Sequence, residues 1–572
     1  MAGTWTSLQN QPNFNADTML LLTDGTVMCH EVNSRNWHKL TPDSSGNYIK
    51  GSWSSMAPLP NNSVIPAING GPTNAPLYFA SAVLGDGTVF VAGGEYNSNI
   101  ANSDILATQI YDPVSDTWTI VNPPTGWTQI GDAPSCVLPD GRLLLGNINS
   151  TSTAIYDPVL QIWTAAANKG DNSSEETFTL LPDNTVLTVQ CSNIPNAEKY
   201  IIATDQWVSA GSTPSTLPQA CPGLVAEIGP AILLPDGRVF AIGATGNTAL
   251  YTPPANPSNA GSWASGPTLM DGTGNRMFPM DAGAVLLPNG KALCVGSPTP
   301  PCNYPGPTTF FEYDPQTNLA SVVTSPSNNG GPCYVGRFLL LPTGQVLFSA
   351  NSADIEVYTP DGYPEPSWRP SITSVPTTLE PGRTYTLTGT QLNGLSQAVS
   401  YGDDAQMATN YPLIQLKNTA TGAVVYLRTF NHSTMGIQTG AAIQSTQFTV
   451  TPVTPGPAQL CVIANGISSD CVNVTIGVHP IITVFRADGV PLPHPMLGFS
   501  ATGSGCTPGG EVVVMFNPRR TVARTNADNS GLFQVSTGIP ISDPCGVRAA
   551  RAQATDVVTG LKSSVVTTTV EC

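Results

Sequence analysis

The stretch Ala231–Gly243, which reads AILLPDGRVFAIG, decides the fold, because variants of it recur through the first two thirds of the chain. Each copy has an apolar run, a turn of the Pro-Asp-Gly type and a second apolar run. Glycine adopts positive φ freely, and Val, Leu and Ile favour strands, so each copy predicts a β-hairpin. The copies recur about every 50 residues, a period typical of propeller blades with four strands. Seven copies can be read, with turns at Asp24, Asp86, Asp140, Asp183, Asp236, Asn289 and Thr343.

A second repeated signal lies between the turns. A tyrosine strand followed by a tryptophan strand adds the outer half of each blade. The N-terminal residues 3–6 resemble such a tryptophan strand and would complete the seventh blade, which removes an exposed sheet edge. The pattern predicts a seven-bladed β-propeller in residues 1–368. The pairs are Tyr111 and Trp118, Tyr156 and Trp163, Tyr200 and Trp207, Tyr251 and Trp263, and Tyr358 and Trp368, while Tyr313 lacks its tryptophan.

The rest of the chain predicts two further β units. Pro364, Pro366 and Pro370 mark a linker, and residues 369–477 then read as short alternating strands with no helical stretch. That pattern is typical of an immunoglobulin-like sandwich. Residues 478–572 continue in the same style, with strands such as GGEVVVMF and GLFQVS, and predict a second immunoglobulin-like sandwich. The expected fold class is all-β, with almost no helix.

The composition and charge of the chain exclude some classes of binding partner. The chain has 572 residues, a formal net charge of −17 and 10% charged residues. Because nucleic acids and anionic membranes need basic patches, neither is an expected partner. No apolar run approaches the roughly 20 residues of a membrane span, so membrane insertion is not expected either. The start of the sequence lacks the basic and apolar regions of a signal peptide, and we expect the mature form of a secreted or cell-surface protein.

Cysteine usage favours the same location. The chain has 12 cysteines and no CxxC pair, which favours an oxidising compartment over a zinc or thioredoxin-type site. Cys461 with Cys471, and Cys294 with Cys302, have spacings that allow a disulfide. In the last unit the favoured pair is Cys506 with Cys545, which leaves Cys572 over. Buried free thiols are the expectation for Cys29, Cys136 and Cys333.

The order of the parts resembles a known family. Kelch-type blades followed by a β-sandwich, with the junction YTPDGYPEPSWRPSITSV at Tyr358–Val375, look like galactose oxidase and glyoxal oxidase. The likeness covers roughly Thr4 to Ile476. It implies a copper ion held by two tyrosines and two histidines, with one tyrosine cross-linked to a cysteine.

The copper ligands of that family are not matched here. Tyr334 stands where the family has a Tyr-His pair before the last blade, but Val335 replaces the histidine. The second histidine is expected after a Tyr-Gly, and residues 401–407 read YGDDAQM. Valine cannot coordinate copper, which prefers imidazole nitrogen at redox sites. We therefore expect the scaffold without copper radical oxidase activity and no cofactor, with calcium as the alternative.

Carboxylates at the starts of the inner strands form the candidate site. Propeller loops converge there around the axis, and acidic residues occupy three of the seven equivalent positions. The residues eight positions before each turn are Ala16, Tyr78, Asp132, Glu175, Ile228, Asp281 and Val335. The candidate ligand-binding residues are Asp132, Glu175, Glu227, Asp281, Tyr334 and Arg337, with Arg276 expected nearby.

Three interpretations of this cluster stay open. The carboxylates could accept hydrogen bonds from strand-end amides, hold a hard cation or polar ligand, or perform acid/base catalysis on a glycoside. The function we expect is extracellular recognition of carbohydrate or another surface polymer. The alternatives are a glycan-active enzyme (hydrolase, lyase or divergent oxidase) that uses the acidic channel mouth, and a structural subunit of a surface assembly or filament formed by self-assembly.

Overall fold

The chain folds as an all-β molecule. The computed structural model describes residues 3–61, 74–98, 100, 104–222, 226–299, 301–401, 407–477, 480–490, 495–517, 521–542, 547 and 549–571. Within these ranges the helical segments are three short 3-10 turns at Pro301–Asn303, Cys333–Val335 and Pro366–Trp368. None of the helices in the described ranges is long and apolar enough to cross a membrane.

The hairpin that predicts the fold forms as its residues require. Strands Ala231–Leu233 and Val239–Ile242 are buried along their whole length. Gly237 closes the turn at φ 84°, a conformation that suits glycine. The Asp236 carboxylate accepts a hydrogen bond from the backbone N–H of Arg238 at 3.1 Å. This turn chemistry fixes the register, so the apolar side chains enter the core.

Seven four-stranded antiparallel arrays repeat this unit, and we number them blades 1 to 7. Blade 1 has strands Ala16–Leu21, Val27–Glu31, Trp37–Thr41 and Ser52–Ser55; blade 2 has Ala80–Val83, Val89–Ala92, Thr108–Asp112 and Thr117–Val121; blade 3 has Ser135–Val137, Leu143–Gly146, Thr153–Asp157 and Ile162–Ala166; blade 4 has Thr179–Leu180, Thr185–Val189, Asn196–Ile201 and Gln206–Ser212. Blade 5 has Ala231–Leu233, Val239–Ile242, Thr248–Thr252 and Ser262–Ser265; blade 6 has Gly283–Leu286, Ala292–Gly296, Thr309–Asp314 and Leu319–Val323; blade 7 has Gly336–Leu340, Val346–Ala350, Glu356–Thr359 and the N-terminal strand Thr4–Ser7. Two small sheets pair Pro76–Leu77 with Tyr96–Asn97 and Gln219–Ala220 with Ala226–Glu227.

The ring closes through the N-terminal strand, as the sequence predicts. Trp5 lies opposite Tyr358, and the innermost strands of blades 1 and 7 are in contact. The expected pairing of Tyr358 with Trp368 is wrong. Because Trp5 already occupies the outer strand, Trp368 is left in the linker, in a 3-10 turn between prolines.

The face of the propeller that carries the hairpin turns, which we call the turn face, is covered by residues of the 369–477 region. Arg428 donates a hydrogen bond to the carbonyl of Asp86 at 2.8 Å, and Gln438 donates to the carbonyl of Leu234 at 2.9 Å. A strand of this region, Val399–Tyr401, enters the ring and pairs with the inner strand of blade 6. The turn-face end of the axial channel is therefore filled by protein.

This region contains two facing sheets around their own apolar core. One sheet has the strand order Ser371–Ser374, Thr384–Thr390, Ile443–Thr449 and Thr429–Phe430. The other has the order Thr378–Leu379, Val472–Ile476, Gly456–Ala464, Leu413–Asn418 and Val424–Leu427, with Ile467–Ser468 paired to the third of these.

The last unit is a seven-stranded, nearly closed sheet rather than two separate layers. Its two end strands, Thr521–Asn526 and Phe533–Pro540, contact each other without a hydrogen-bonded ladder. A separate apolar core fills it. The strand order is Thr521–Asn526, Glu511–Asn517, Ala549–Asp556, Val566–Glu571, Ile481–Val490, Met496–Ser504 and Phe533–Pro540.

Two disulfides form among the described residues. Cys461–Cys471 confirms the spacing argument, whereas the suggested partner of Cys302 is wrong. Cys302 bonds to Cys221, because the loop after blade 6's second strand reaches back to the segment before blade 5. The thiols of Cys29, Cys136 and Cys333 are buried and free, as expected. Cys545, the expected partner of Cys506, lies outside the described residues.

Candidate functional site

The face opposite the turns, which we call the mouth, brings three carboxylates together. Glu175 precedes blade 4, Glu227 ends the short strand before blade 5, and Asp281 precedes blade 6. Their nearest ligand atoms all lie within 4.8 Å of one another. Glu227 is buried, and the other two are partly exposed. We call these three residues the carboxylate cluster.

Backbone contacts between blades hold this cluster. Glu175 and Glu227 form an isolated parallel β-bridge, and the backbone N–H of Asp281 donates to the carbonyl of Ile228 at 2.9 Å. Asp281 has φ 53°, in the left-handed region that residues other than glycine seldom adopt. Tyr78, at the equivalent position of blade 2, has φ 54°. Such strain persists where the surrounding structure demands a particular side-chain direction.

Tyr304 completes the cluster, and the sequence did not single it out. Its hydroxyl donates to Glu227 Oε1 at 2.5 Å and lies 2.7 Å from Oε2. The Cys221–Cys302 disulfide ties the short segments that carry these two side chains. Correct pairing of Cys302 would have pointed to the tyrosine two residues later.

The electrostatics of the cluster favour a bound proton. Burial raises the pKa of Glu227, while hydrogen bonds with Tyr304, Glu175 and Asp281 oppose the rise. A hydrogen bond between two carboxyl groups needs a proton on one of them, which agrees with the upward direction of the Glu227 pKa. Burial and the charges of Glu95, Asp104 and Glu227 also raise the pKa of Asp132 well above its usual range.

Four tyrosines line the mouth beside the carboxylates, and we call them the tyrosine row. Tyr304 and Tyr334 meet edge to face with ring centroids 5.3 Å apart. Tyr334 meets Tyr78 at 6.0 Å, and Tyr78 meets Tyr96 at 5.6 Å. All four rings are partly exposed. The row therefore offers aromatic surface next to clustered hydrogen-bond acceptors.

Arg337 lies beneath the mouth rather than on it. Its side chain is fully buried, stacks on Tyr401 at 3.6 Å and donates to the carbonyl of Tyr334 at 2.5 Å. Its second nitrogen lies 3.4 Å from Asp17, which also contacts His30 at 3.3 Å. Burial alone would raise the pKa of Asp17, but the Arg337 charge and the His30 hydrogen bond lower it below its usual value. Arg337 thus positions Tyr334 from below.

Arg276 hydrogen-bonds to the loop after the second strand of blade 5 rather than to the carboxylate cluster. Its guanidinium donates to the carbonyl of Thr245 and to Asn247, both at 3.2 Å. Of the acidic residues expected at the strand starts, Glu175 and Asp281 meet Glu227, while Asp132 is buried outside this group. The two arginines expected to relieve the repulsion bind elsewhere.

Copper, which the family resemblance implies, does not fit the donors around Tyr334. Val335 follows it in the 3-10 turn, and residues 402–406 lie outside the described ranges. Of the described histidines, His30 and His38 bond within blade 1, and His432 bonds within the 369–477 region. Within the described ranges, one group of three or more potential metal ligands converges, and it is the all-carboxylate cluster. Carboxylate oxygens suit hard cations such as calcium rather than copper.

Comparison with known proteins finds structural neighbours of low similarity. No protein-family model matches the chain, and no curated protein matches it. Among solved structures, a fungal alcohol oxidase of the AA5 family in complex with copper is 15% identical, with a TM-score of 0.46, covering 83% of this chain and 99% of that one. Virginiamycin B lyase from Staphylococcus aureus is 10% identical, with a TM-score of 0.43, covering 62% of this chain and 99% of the lyase. A catalytically inactive form of that lyase with quinupristin gives the same values. With TM-scores below 0.5 and identities of 15% or less, these likenesses carry no argument about the fold or the activity of this chain.

Proposed function

We propose that this protein is an extracellular recognition protein that binds carbohydrate at the propeller mouth. The observation that carries the proposal is the meeting of three carboxylates from separate blade junctions with a row of four partly exposed tyrosines. The two disulfides fit an oxidising, secreted or cell-surface location.

Both parts of the mouth suit a sugar. A carboxylate accepts hydrogen bonds from neighbouring hydroxyl groups, and charged acceptors give stronger bonds than neutral ones. Tyrosine rings supply flat apolar surface with a polar tip, which stacks on the C–H faces of a pyranose. Because Arg337 fixes Tyr334 and the disulfide ties Tyr304 near Glu227, the site is organised before a ligand arrives, which reduces the entropic cost of binding.

An enzyme is the second candidate, and the raised pKa of Glu227 favours it. Glycoside cleavage uses a carboxylic acid with a raised pKa beside a second carboxyl group, and burial raises the pKa of Glu227 next to Glu175 and Asp281. In that case Glu227 would be the acid, and Glu175 or Asp281 the base or nucleophile.

A glycan array followed by product analysis separates these functions. Binding without turnover is the expected result. New reducing or unsaturated ends in the bound glycans would support the enzyme instead. If no glycan binds and the purified protein forms ordered oligomers, a structural subunit is the better description, and the recognition proposal fails.

A further inference from the structure

A cleft on the turn face carries a second inference. It has a volume of about 210 Å³ and lies between the turns of blades 5 and 6 and the linker at Trp368. Its polar lining includes Asp236, Lys291, Asp314 and Gln316. The carboxylate cluster lies on the opposite face of the propeller, so the two sites share no residue.

Trp368 differs from most tryptophans of the blades, although Trp37 and Trp207 also have an indole N–H without a hydrogen-bond partner among the described residues. Five blade tryptophans donate their indole N–H to a backbone carbonyl: Trp5, Trp53, Trp118, Trp163 and Trp263. Trp368 makes no side-chain hydrogen bond to any part of the chain that the structure describes. Its ring lies over Gly290, where an added Cβ would be 2.5 Å from the ring. The ring therefore packs on Gly290 and lines the cleft, and its indole N–H has no partner among the described residues.

The polar groups of the cleft are balanced in charge. Asp236 pairs with Arg238 at 2.6 Å, and Lys291 pairs with Glu312 at 2.9 Å. Asp314 accepts a hydrogen bond from the backbone N–H of Gln316 at 2.8 Å through one oxygen. Carboxylate acceptors and ammonium, amide and indole donors thus face one small space. A hydroxyl group both donates and accepts, so a neutral polyol matches this lining better than an ion does.

We infer that this cleft binds one neutral pyranose unit, stacked on Trp368 and hydrogen-bonded to Asp236 and Asp314. The volume is below the roughly 300–1,000 Å³ of drug-sized sites, which suits a single sugar ring. The protein would then contact a glycan on both faces of the propeller, although each site stands without the other.

Fluorine NMR of the full chain labelled with 5-fluorotryptophan tests this inference. The chain has nine tryptophans, and Trp368→Phe identifies the signal of Trp368 by its loss. The probes are the methyl glycosides of glucose, galactose, mannose and N-acetylglucosamine, with glucosamine and glucuronate as charged comparisons. We expect at least one neutral glycoside to move the Trp368 signal saturably in the millimolar range, and the charged sugars to bind more weakly. Absence of any saturable shift, or equal binding of the charged sugars, would overturn the inference.

Matched variants locate the response. Asp236→Asn and Asp314→Asn should weaken binding about tenfold, since each weakens a hydrogen bond from the ligand to a charged group. Asp140 has the same turn and the same pairing with Arg142, at 2.6 Å, but does not line the cleft, so Asp140→Asn should leave binding unchanged. Tyr363, which is 92% exposed in the same linker, controls for nonspecific stacking, and Tyr363→Ala should bind normally. An equal loss of glycoside affinity in Asp140→Asn, or any loss of affinity in Tyr363→Ala, would contradict a site in the cleft.

Glu227→Gln tests whether the signal arises from the mouth. This variant should keep the shift of the Trp368 signal, and loss of that shift would assign the binding to the mouth.

Discussion

The two faces of the propeller use their charged residues in opposite ways. On the turn face, the same aspartate recurs, and its carboxylate accepts the backbone N–H two residues later, in the turns at Asp24, Asp86, Asp140, Asp183 and Asp236. At the mouth, the equivalent position changes from blade to blade, and the acidic groups meet across blade junctions. Residues that repeat build the fold, whereas residues that depart from the repeat mark the candidate site.

The largest expected effect concerns a buried lysine near the mouth. The Lys169 ammonium contacts Glu176 and lies 3.5 Å from Asp171 and 3.8 Å from Glu198. Lys169→Met leaves these acidic groups without their cation and should lower the free energy of unfolding by roughly 3–5 kcal/mol. Denaturant titration of the wild type and Lys169→Met measures this change in the free energy of unfolding.

Lys199, on the third strand of blade 4, is the matched control. Its ammonium is buried without a hydrogen-bond partner among the described residues, and burial lowers its pKa. Lys199→Met should therefore leave the free energy of unfolding unchanged or raise it, because it removes an unsatisfied buried group. If Lys199→Met costs as much as Lys169→Met, the Lys169 ion pairs are not what stabilises this side of the propeller.

Calcium binding should distinguish the mouth from the turn face. Ligand atoms within 4.8 Å of one another allow Glu175, Glu227 and Asp281 to share one hard cation. We expect calcium to stabilise the protein by about 2.7 kcal/mol at one hundred times its dissociation constant. The thermal midpoint should rise with calcium and fall with chelator. The double variant Glu175→Gln, Asp281→Asn should lose this response, and a response that survives in it would move the ion away from the mouth.

The pH dependence of stability distinguishes the buried carboxyl from an exposed one. Burial raises the pKa of Glu227, so its contribution to stability is fully present below about pH 4 and is lost as pH rises through its folded pKa. Glu227→Gln should therefore raise the thermal midpoint at pH 7 and have little effect at pH 4. Each pKa unit corresponds to about 1.4 kcal/mol.

The pKa of Asp271 is shifted in the opposite direction from that of Glu227, so its effect on stability should depend on pH in the opposite way. Hydrogen bonds from Asn275 and Thr273 lower its pKa to about 2, so its contribution is present above the unfolded pKa and lost on acidification. Asp271→Asn should lower the midpoint at pH 7 and narrow its difference from wild type at pH 3. The same sign for both variants would refute the account of the mouth electrostatics.

The smallest effect is expected on the turn face. Asp140→Ala removes one side-chain acceptor in a solvent-exposed turn and should cost about 1 kcal/mol. Urea titration of Asp140→Ala beside Lys169→Met gives the comparison directly. If Asp140→Ala lowered the free energy of unfolding by several kcal/mol, the turn would stabilise more of the propeller than its own hairpin.

The repeated features of the propeller could be predicted from the sequence. The contacts between segments far apart in the chain could not. Seven hairpin turns and the closing Trp5 strand follow from periodicity, because each blade solves the same packing problem. Trp368 was assigned to blade 7 because spacing from Tyr358 cannot tell a strand from a linker. Tyr304 was missed because its loop is placed by the Cys221–Cys302 bond, a contact between distant segments. The burial of Arg337 likewise depends on Asp17 and Tyr401, which are far from it in the chain.

The measurement that tests the central claim most directly is calorimetric titration of the strongest glycan from the array into three proteins. These are the wild type, Glu227→Gln at the mouth and Asp140→Asn on the turn face. The account predicts that Glu227→Gln weakens binding about tenfold or more, since an amide nitrogen replaces one of the two carboxyl oxygens that can accept a hydrogen bond, while Asp140→Asn matches the wild type. Equal affinity in all three proteins would contradict the assignment of carbohydrate recognition to the carboxylate cluster.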